Sequence, residues 1–245
     1  MKAGLIALIL GIGVSAAALA QHEAELQPAN NNITNTASLQ RGAKYFVNYC
    51  LGCHSAQYVR YNRLAQDLQL TEDQLVQNLM FTGERPFDTM ANAMRPEDSV
   101  RWFGITPPDL SLISRSRGTD YLYTFLRSFY EDPSSATGVD NIVLPGTAMP
   151  HVLWELQGTQ RPVYEATEEH GAAQEVFRGF ETMRPGELSQ SDFDQVVRDI
   201  VNFLDYIGEP VQRERQALGI RVIAFLLVFL LIAFLLKKEI WKDVQ

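Results

Sequence analysis

The sequence has only two cysteines, Cys50 and Cys53, in 245 residues. That excludes a disulfide-stapled scaffold, an all-cysteine zinc site and a four-thiolate iron–sulfur cluster. Positive charge is scarce too. Against 29 Asp and Glu stand 21 Lys and Arg, giving a formal charge of -8 and a pI near 5.0. Such a balance argues against nucleic acid as a partner and suits a basic one. The middle of the chain has no long apolar run, no internal repeat and no low-complexity stretch. With 46% hydrophobic and 20% charged residues, the chain is not disordered, and its length allows a well-buried core without extra staples.

The apolar residues are concentrated at the two ends. After Lys2, residues 3–20 carry no charge and close on Ala18, Leu19 and Ala20, the pattern of a secretory signal cut before Gln21. A retained N-terminal anchor is the alternative, since the run approaches spanning length; its richness in Ala and Gly favours removal. Cleavage leaves 20 basic and 29 acidic residues, so the mature charge is 20 minus 29, or -9. At the other end, residues 222–236 are apolar without interruption, and extension back to Leu218 adds Arg221 as the only charge. At about 1.5 Å per residue the longer segment covers about 28 Å, close to a hydrocarbon core. Arg221 can snorkel at one interface, while Trp241, Lys237, Lys238 and Lys242 suit the other. A helix of a soluble core would need cover on every face. Three arginines before the span, Arg213, Arg215 and Arg221, balance three lysines after it, so charge does not set the topology. An exported N-terminus does. The expected organisation is a signal over 1–20, a periplasmic domain over 21–210, an anchor over 211–240 and a cytoplasmic tail over 241–245, in a bacterial inner membrane.

One motif in the exported part carries chemistry. Cys50, Leu51, Gly52, Cys53 and His54 form C-x-x-C-H, the attachment pattern of c-type haem: two thiols add to the vinyl groups and the adjacent imidazole reaches the iron. A thioredoxin-like redox pair does not need the His and usually follows a strand; a zinc site lacks a second cysteine pair. Leu39, Ala43, Phe46, Val47 and Cys50 recur at helical spacing, with Ser38 available as N-cap. A second stripe, Phe193, Val196, Val197, Ile200, Val201, Leu204 and Ile207, predicts a helix capped by Ser191 and ended by Gly208 and Pro210. Asp192, Asp194, Arg198, Asp199 and Asp205 lie off the stripe and read as a solvated face. Residues 71–80 and 120–130 also read as helical, and residues 152–164, broken at Gly158 and Thr159, as a small hairpin. The fold class expected is mainly α, a cytochrome c-like haem domain with long loop insertions and a small hairpin, plus one C-terminal transmembrane helix.

The sixth iron ligand separates electron transfer from ligand chemistry, because a thioether raises the potential and closes the iron to small molecules. Met80, Met90, Met94, Met149 and Met183, with His22, His151 and His170, are the candidates. Met149 lies in the loop Gly146, Thr147, Ala148, Met149, Pro150, without an evident core role, although a lone Met is more often a gap-filler.

At this point the sequence resembles the cytochrome c1 family, the haem-bearing subunits of cytochrome bc1 complexes. The resemblance is carried by Leu39 to Gly42 leading into the haem motif, by Tyr58, Tyr61, Asn62 and Leu64, and by Pro107, Pro108, Asp109, Leu110 and Ser111. It continues through Arg115 to Gly118 with Asp120 and Tyr121, through Ala148, Met149 and Pro150, and through Phe203, Leu204, Glu209, Pro210 and the tail span. It implies one covalent haem c on Cys50 and Cys53, with His54 and Met149 as the axial ligands. It further implies that Pro108 packs on the haem and that Arg117 and Tyr121 lie by its propionates, where a guanidinium can pair bidentately with a carboxylate. Implied partners are cytochrome b, a Rieske iron–sulfur protein as electron donor, a soluble cytochrome c or similar carrier as acceptor, and the membrane. The resemblance departs at Arg101, Trp102 and Phe103, just before the proline pair, and the chain has no cysteine for a disulfide. Glu97, Asp98, Glu131, Asp132, Glu165, Glu168 and Glu169 are candidates for steering a basic carrier, each otherwise a solvated carboxylate. Two other readings share the motif: an anchored cytochrome of another respiratory chain, and an open-iron haem sensor or enzyme.

Overall fold

The computed structural model describes residues 25–169 and 172–243; the expected signal, His22 and His170 lie outside them. Along the chain run α1 (Thr36–Tyr45), β1 (Ala56–Arg60), α2 (Tyr61–Asp67), α3 (Glu72–Asn78), β2 (Thr89–Met90), α4 (Pro96–Phe103), α5 (Ile113–Arg117), α6 (Thr119–Arg127), β3 (Phe129–Glu131), β4 (Val139–Asn141), α7 (Trp154–Gln157), β5 (Gly158–Glu169), β6 (Ala172–Pro185), α8 (Gln190–Gly208) and α9 (Gln212–Ile240). The strands form three antiparallel pairs, β1 with β2, β3 with β4 and β5 with β6. The fold is thus mainly α, as the sequence predicts.

The core is the crossing of α1 and α8. Leu39, Ala43 and Phe46 from one helix meet Val197, Ile200, Val201, Phe203 and Leu204 from the other, all buried, and the rings of Phe46 and Phe203 lie 5.3 Å apart. The helices approach so closely at Gly42 that an added methyl would overlap the Asp199 carbonyl and stand 2.7 Å from Phe203 Cβ. Asp199 is 1% exposed. Its carboxylate accepts from Arg41 Nε at 2.6 Å and Nη2 at 2.9 Å, from Ser38 Oγ at 2.6 Å and from Gln195 at 2.9 Å. A buried carboxylate is tolerable only when paired and bonded in this way.

Of the polar residues of α8 expected to be solvated, Asp192 is exposed, whereas Asp194, Arg198, Asp199 and Asp205 are covered at least in part. An N-terminal segment lies across the helix: Arg198 donates to the Ala29 carbonyl, Asn202 to that of Asn32, and Asn31 to Asp205. Asp194 pairs with Arg127 at 2.7 Å. Helical periodicity sorts residues by their own polarity and cannot see a partner brought from elsewhere.

Both expected caps shift towards the N-terminus. Asn35, not Ser38, caps α1 by accepting from the Ser38 N–H, which frees the Ser38 hydroxyl for Asp199. Ser189, not Ser191, caps α8 through the Asp192 N–H. α3 opens with a reciprocal Thr71–Gln74 box. The segment expected as a hairpin over 152–164 is divided: Trp154–Gln157 turn as α7, and the hairpin is the longer β5–β6 ribbon. Gly158, at φ +86, makes the switch, so the glycine taken for a turn within a hairpin instead begins a strand. The ribbon is anchored at its base by Gln160, which donates to the carbonyls of Arg127 and Phe129.

Gly42→Ala should cost about 1–3 kcal/mol, the usual penalty for overpacking, read as a lower denaturant midpoint with an unchanged slope.

Candidate functional site

The haem-attachment sequence sits where α1 widens. Phe46–Cys50 continue α1 as one turn of wider π-helix, and the chain then folds back so that the N–H groups of Cys53 and His54 both donate to the Cys50 carbonyl, at 3.1 and 2.8 Å. Cys50 is buried on the core side, while Cys53 and His54 are half-buried. Both thiols are free. Burial pushes the Cys50 thiol up to about 12 and also raises that of Cys53, so both carry their protons. A thioredoxin-like pair needs a depressed thiol and commonly follows a strand; here a helix precedes the pair. No group of three or more His, Cys, Asp or Glu gathers in metal-binding range among the described residues.

Among the described residues the His54 side chain makes one hydrogen bond, Nδ1 to the Pro108 carbonyl at 2.7 Å. A carbonyl only accepts, so Nδ1 carries the proton and Nε2 keeps its lone pair, the tautomer an iron ligand needs. Burial, partly offset by the Pro108 bond, lowers the imidazole's pKa from its ordinary value, which keeps that lone pair available. The Pro-Pro run is tied in turn to the chain after the motif. Leu110 N–H donates to the Ser55 carbonyl at 2.8 Å, and Gln57 N–H donates to Asp109 at 2.9 Å. Asn92 closes the turn from the other side, its side chain bonding the Cys53 carbonyl and its N–H the Ser55 hydroxyl.

Met149 lies in a second loop, half-buried against the core. Two residues at the end of β4 build that loop. Asp140 Oδ1 accepts from the N–H groups of Asn141, Gly146 and Thr147, at 2.8, 2.7 and 3.3 Å. Asn141, fully buried, accepts from Val143 and Leu144 and donates to the Phe125 carbonyl on α6. Sequence reasoning passed over both, although an Asp-Asn pair ahead of a Pro-Gly turn is the composition from which side-chain-closed turns are made.

The remaining predicted residues join the second loop. Arg117, exposed, lies 5.5 Å over the Tyr121 ring. From Tyr121 a file of rings runs inward: Phe125 stacked at 6.1 Å, Phe129 edge-on at 5.1 Å, then His151 stacked at 5.1 Å. The site thus has two halves, His54 with Pro108 and Met149 with the Arg117–Tyr121 file; no hydrogen bond or ring contact links them among the described residues. The other ligand candidates are placed differently. Met90 is wholly buried in the core and Met183 is exposed on the ribbon. His151 is buried against Phe129, and burial lowers its pKa to about 4.

Fold and site together define a class: an α-rich domain arranged around a C-x-x-C-H turn, followed by one helix long and apolar enough to cross a membrane, Glu214–Ile240, with no part of that stretch buried. The chain belongs to the Cytochrome C1 family, whose model matches residues 31–244. It is 50% identical over 220 residues to the cytochrome c1 of Allochromatium vinosum, covering 90% of each chain. It is 43% identical over 223 residues to a protein of Nitrosomonas europaea named ammonia monooxygenase gamma subunit, covering 91% of this chain and 90% of that one. To the cytochrome c1 of Rhodospirillum rubrum it is 26% identical over 239 residues, covering 84% and 82%. Members of this family are electron-transfer subunits of the bc1 complex. Membership implies a covalently bound haem c, and the apolar tail helix fits a membrane-anchored protein.

Asp140→Ala would strand three N–H donors and release the loop that carries Met149. A loss of about 1–3 kcal/mol is expected, with faster amide exchange confined first to residues 143–149.

Proposed function

We propose that this chain relays single electrons within a quinol–cytochrome c oxidoreductase, accepting them from a Rieske iron–sulfur protein and passing them to a soluble periplasmic carrier, with cytochrome b as its membrane partner. It makes and breaks no substrate bond itself. The observation that carries the reading is the His54–Pro108 bond beside two free thiols, because it presents an unprotonated Nε2 next to the only sulfurs able to tether a porphyrin.

Haem c, when bound, supplies a one-electron ferrous–ferric couple. The chain's residues then divide the work. Cys50 and Cys53 would hold the porphyrin by thioether links, and His54, through Nε2, would hold the iron. Met149 would supply the second iron-holding side chain, whose thioether favours a high potential and a closed iron. Pro108, on the segment that fixes His54, would pack against the porphyrin. Arg117 and Tyr121 would hold its propionates, the guanidinium by pairing with a carboxylate and the phenol by adding a bond. Side-chain bonds fix both loops at the backbone, so these groups need little rearrangement when the charge changes.

The organisation follows: a signal over 1–20, a periplasmic haem domain over 21–210, an anchor over 211–240 and a cytoplasmic tail over 241–245 in a bacterial inner membrane. Among the acidic candidates for carrier steering, Glu97 is exposed. Asp98 is paired with Arg95 and Arg101, Glu131 with Arg184, and Glu165 with Arg178. Asp132 closes a turn with Ser134. Steering therefore falls to the summed negative field more than to any one of these carboxylates.

Met149→Leu in purified membranes should keep the haem, lose the sulfur-to-iron absorption near the red end of the spectrum, lower the potential and admit carbon monoxide to the reduced form; an unchanged spectrum would sink the assignment. Carrier reduction should slow as ionic strength rises, and a flat profile would remove the steering role.

A further inference from the structure

The haem domain passes to the membrane helix in three residues. α8 ends at Gly208 and α9 starts at Gln212, leaving Glu209, Pro210 and Val211 between them. Gly208 is seated on α5, where an added methyl would overlap the Ser114 hydroxyl. Glu209 leaves the helical conformation, at φ -157 and ψ 81, consistent with the aversion of a residue before proline to the α region. Its side chain is 15% exposed and takes two guanidinium groups. Arg115, from α5, bonds Oε2. Arg215, from the first turn of α9, bonds Oε1 and reaches Oε2 with Nη2 at 3.1 Å. Hydrogen bonding from Arg215, with the charge of Arg115, holds the carboxyl below the ordinary range. Nearby, Glu214 of α9 lies within electrostatic reach of Arg63 on α2.

We propose that Glu209 is a positioning residue that locks the direction of the membrane helix against the haem domain, by holding Arg115 and Arg215 on one carboxylate, and so sets the tilt of the haem over the bilayer. The geometry that carries this is the convergence of three elements on one side chain. A three-residue linker with no such clamp leaves an anchor free to swing about Pro210, whereas a carboxylate gripping α5 and α9 at once resists rotation in two directions. Arg115 stands two residues before Arg117, so the element that grips the anchor is the one proposed to face the propionates. For a relay, a fixed tilt keeps the cofactor edge at one height for a donor arriving along the membrane and an acceptor arriving from solution. The inference rests on the haem and anchor roles proposed above.

The test uses the full-length, haem-loaded chain in oriented lipid multilayers, with haem tilt read by linear dichroism. Glu209→Gln keeps shape and removes charge; it should reduce haem orientational order at least twofold while leaving the absorption spectrum unchanged. Arg215→Gln, which alters only the anchor, should produce the same loss and decides the matter should Glu209→Gln fail to fold. Glu209→Asp should restore part of the order. Undiminished dichroism in both charge-removing variants overturns the clamp alone. An unaltered chain that shows no haem absorption overturns the clamp together with the relay reading.

Discussion

At the crossing of α1 and α8 the backbones come so near that only a hydrogen side chain fits at Gly42, and this contact decides where the haem-attachment turn goes. α1 leads directly into the π-helical turn that ends at Cys50, so the orientation of one helix on the other aims both thiols and His54. A buried ion pair guards the same crossing. Removing one partner of such a pair commonly costs about 3–5 kcal/mol, because the other charge is left without water. For Asp199 the penalty is softened on one side only: the guanidinium of Arg41 is half exposed, the carboxylate is not. The pair therefore adds little net stability but strongly disfavours any rotation of α1 that would part them. It acts on specificity more than on depth of the energy minimum.

From that fixed turn outward, the site is assembled from loops, and loops have no ladder to satisfy their backbone groups. Short polar side chains do it instead. Asp109 serves Gln57 and Ser111, Asn92 serves Cys53, and Asp140 and Asn141 between them serve five N–H groups. Each bond contributes about 0.5–1.5 kcal/mol net, and losing one of the part-buried bonds leaves a donor or acceptor without its partner, so the loops are held cooperatively. The ring file from Tyr121 to His151 adds about 0.5–1.5 kcal/mol per pair beyond area burial and joins α6 to the Met149 loop without a covalent link.

Sequence pattern revealed the helices and the chemistry unevenly. The stripe from Phe193 to Ile207 and the C-x-x-C-H run were legible because each is a local code: periodicity in one case, fixed spacing in the other. The caps were misplaced by two or three residues because Asn35, Ser38, Ser189 and Ser191 all have capping chemistry, and only the tertiary demand of Asp199 for the Ser38 hydroxyl decides between two of them. The β5–β6 ribbon was read short because Gly158 at positive φ marks a turn in any local reading, whereas here it joins a helix to a strand. Most of the charged side of α8 was read as solvated because its cover comes from Ala29, Asn31 and Asn32 and from Arg41 and Arg127, which are remote in sequence. In the site, candidates of ligand type could be named from the sequence; the side chains that hold their loops, Asp140, Asn141 and Asn92, could not, since a lone polar residue in a loop carries no spacing signal.

The two halves of the chain answer to different solvents. Before α9 a core of apolar side chains is buried, and the buried carboxylate of Asp199 comes with partners. Along α9 the apolar side chains face outward on every side, from Leu218 to Leu236, which water would penalise by about 25 cal/mol for each Å² exposed and a bilayer would not. A helix selected to match lipid on all faces has no stripe left with which to grip the domain it carries. Grip would then come from polar contacts at its first turn. Glu209, Arg215 and Arg115 pair at that turn, which is where the clamp proposed above would join a part packed by its own core to a helix matched to lipid.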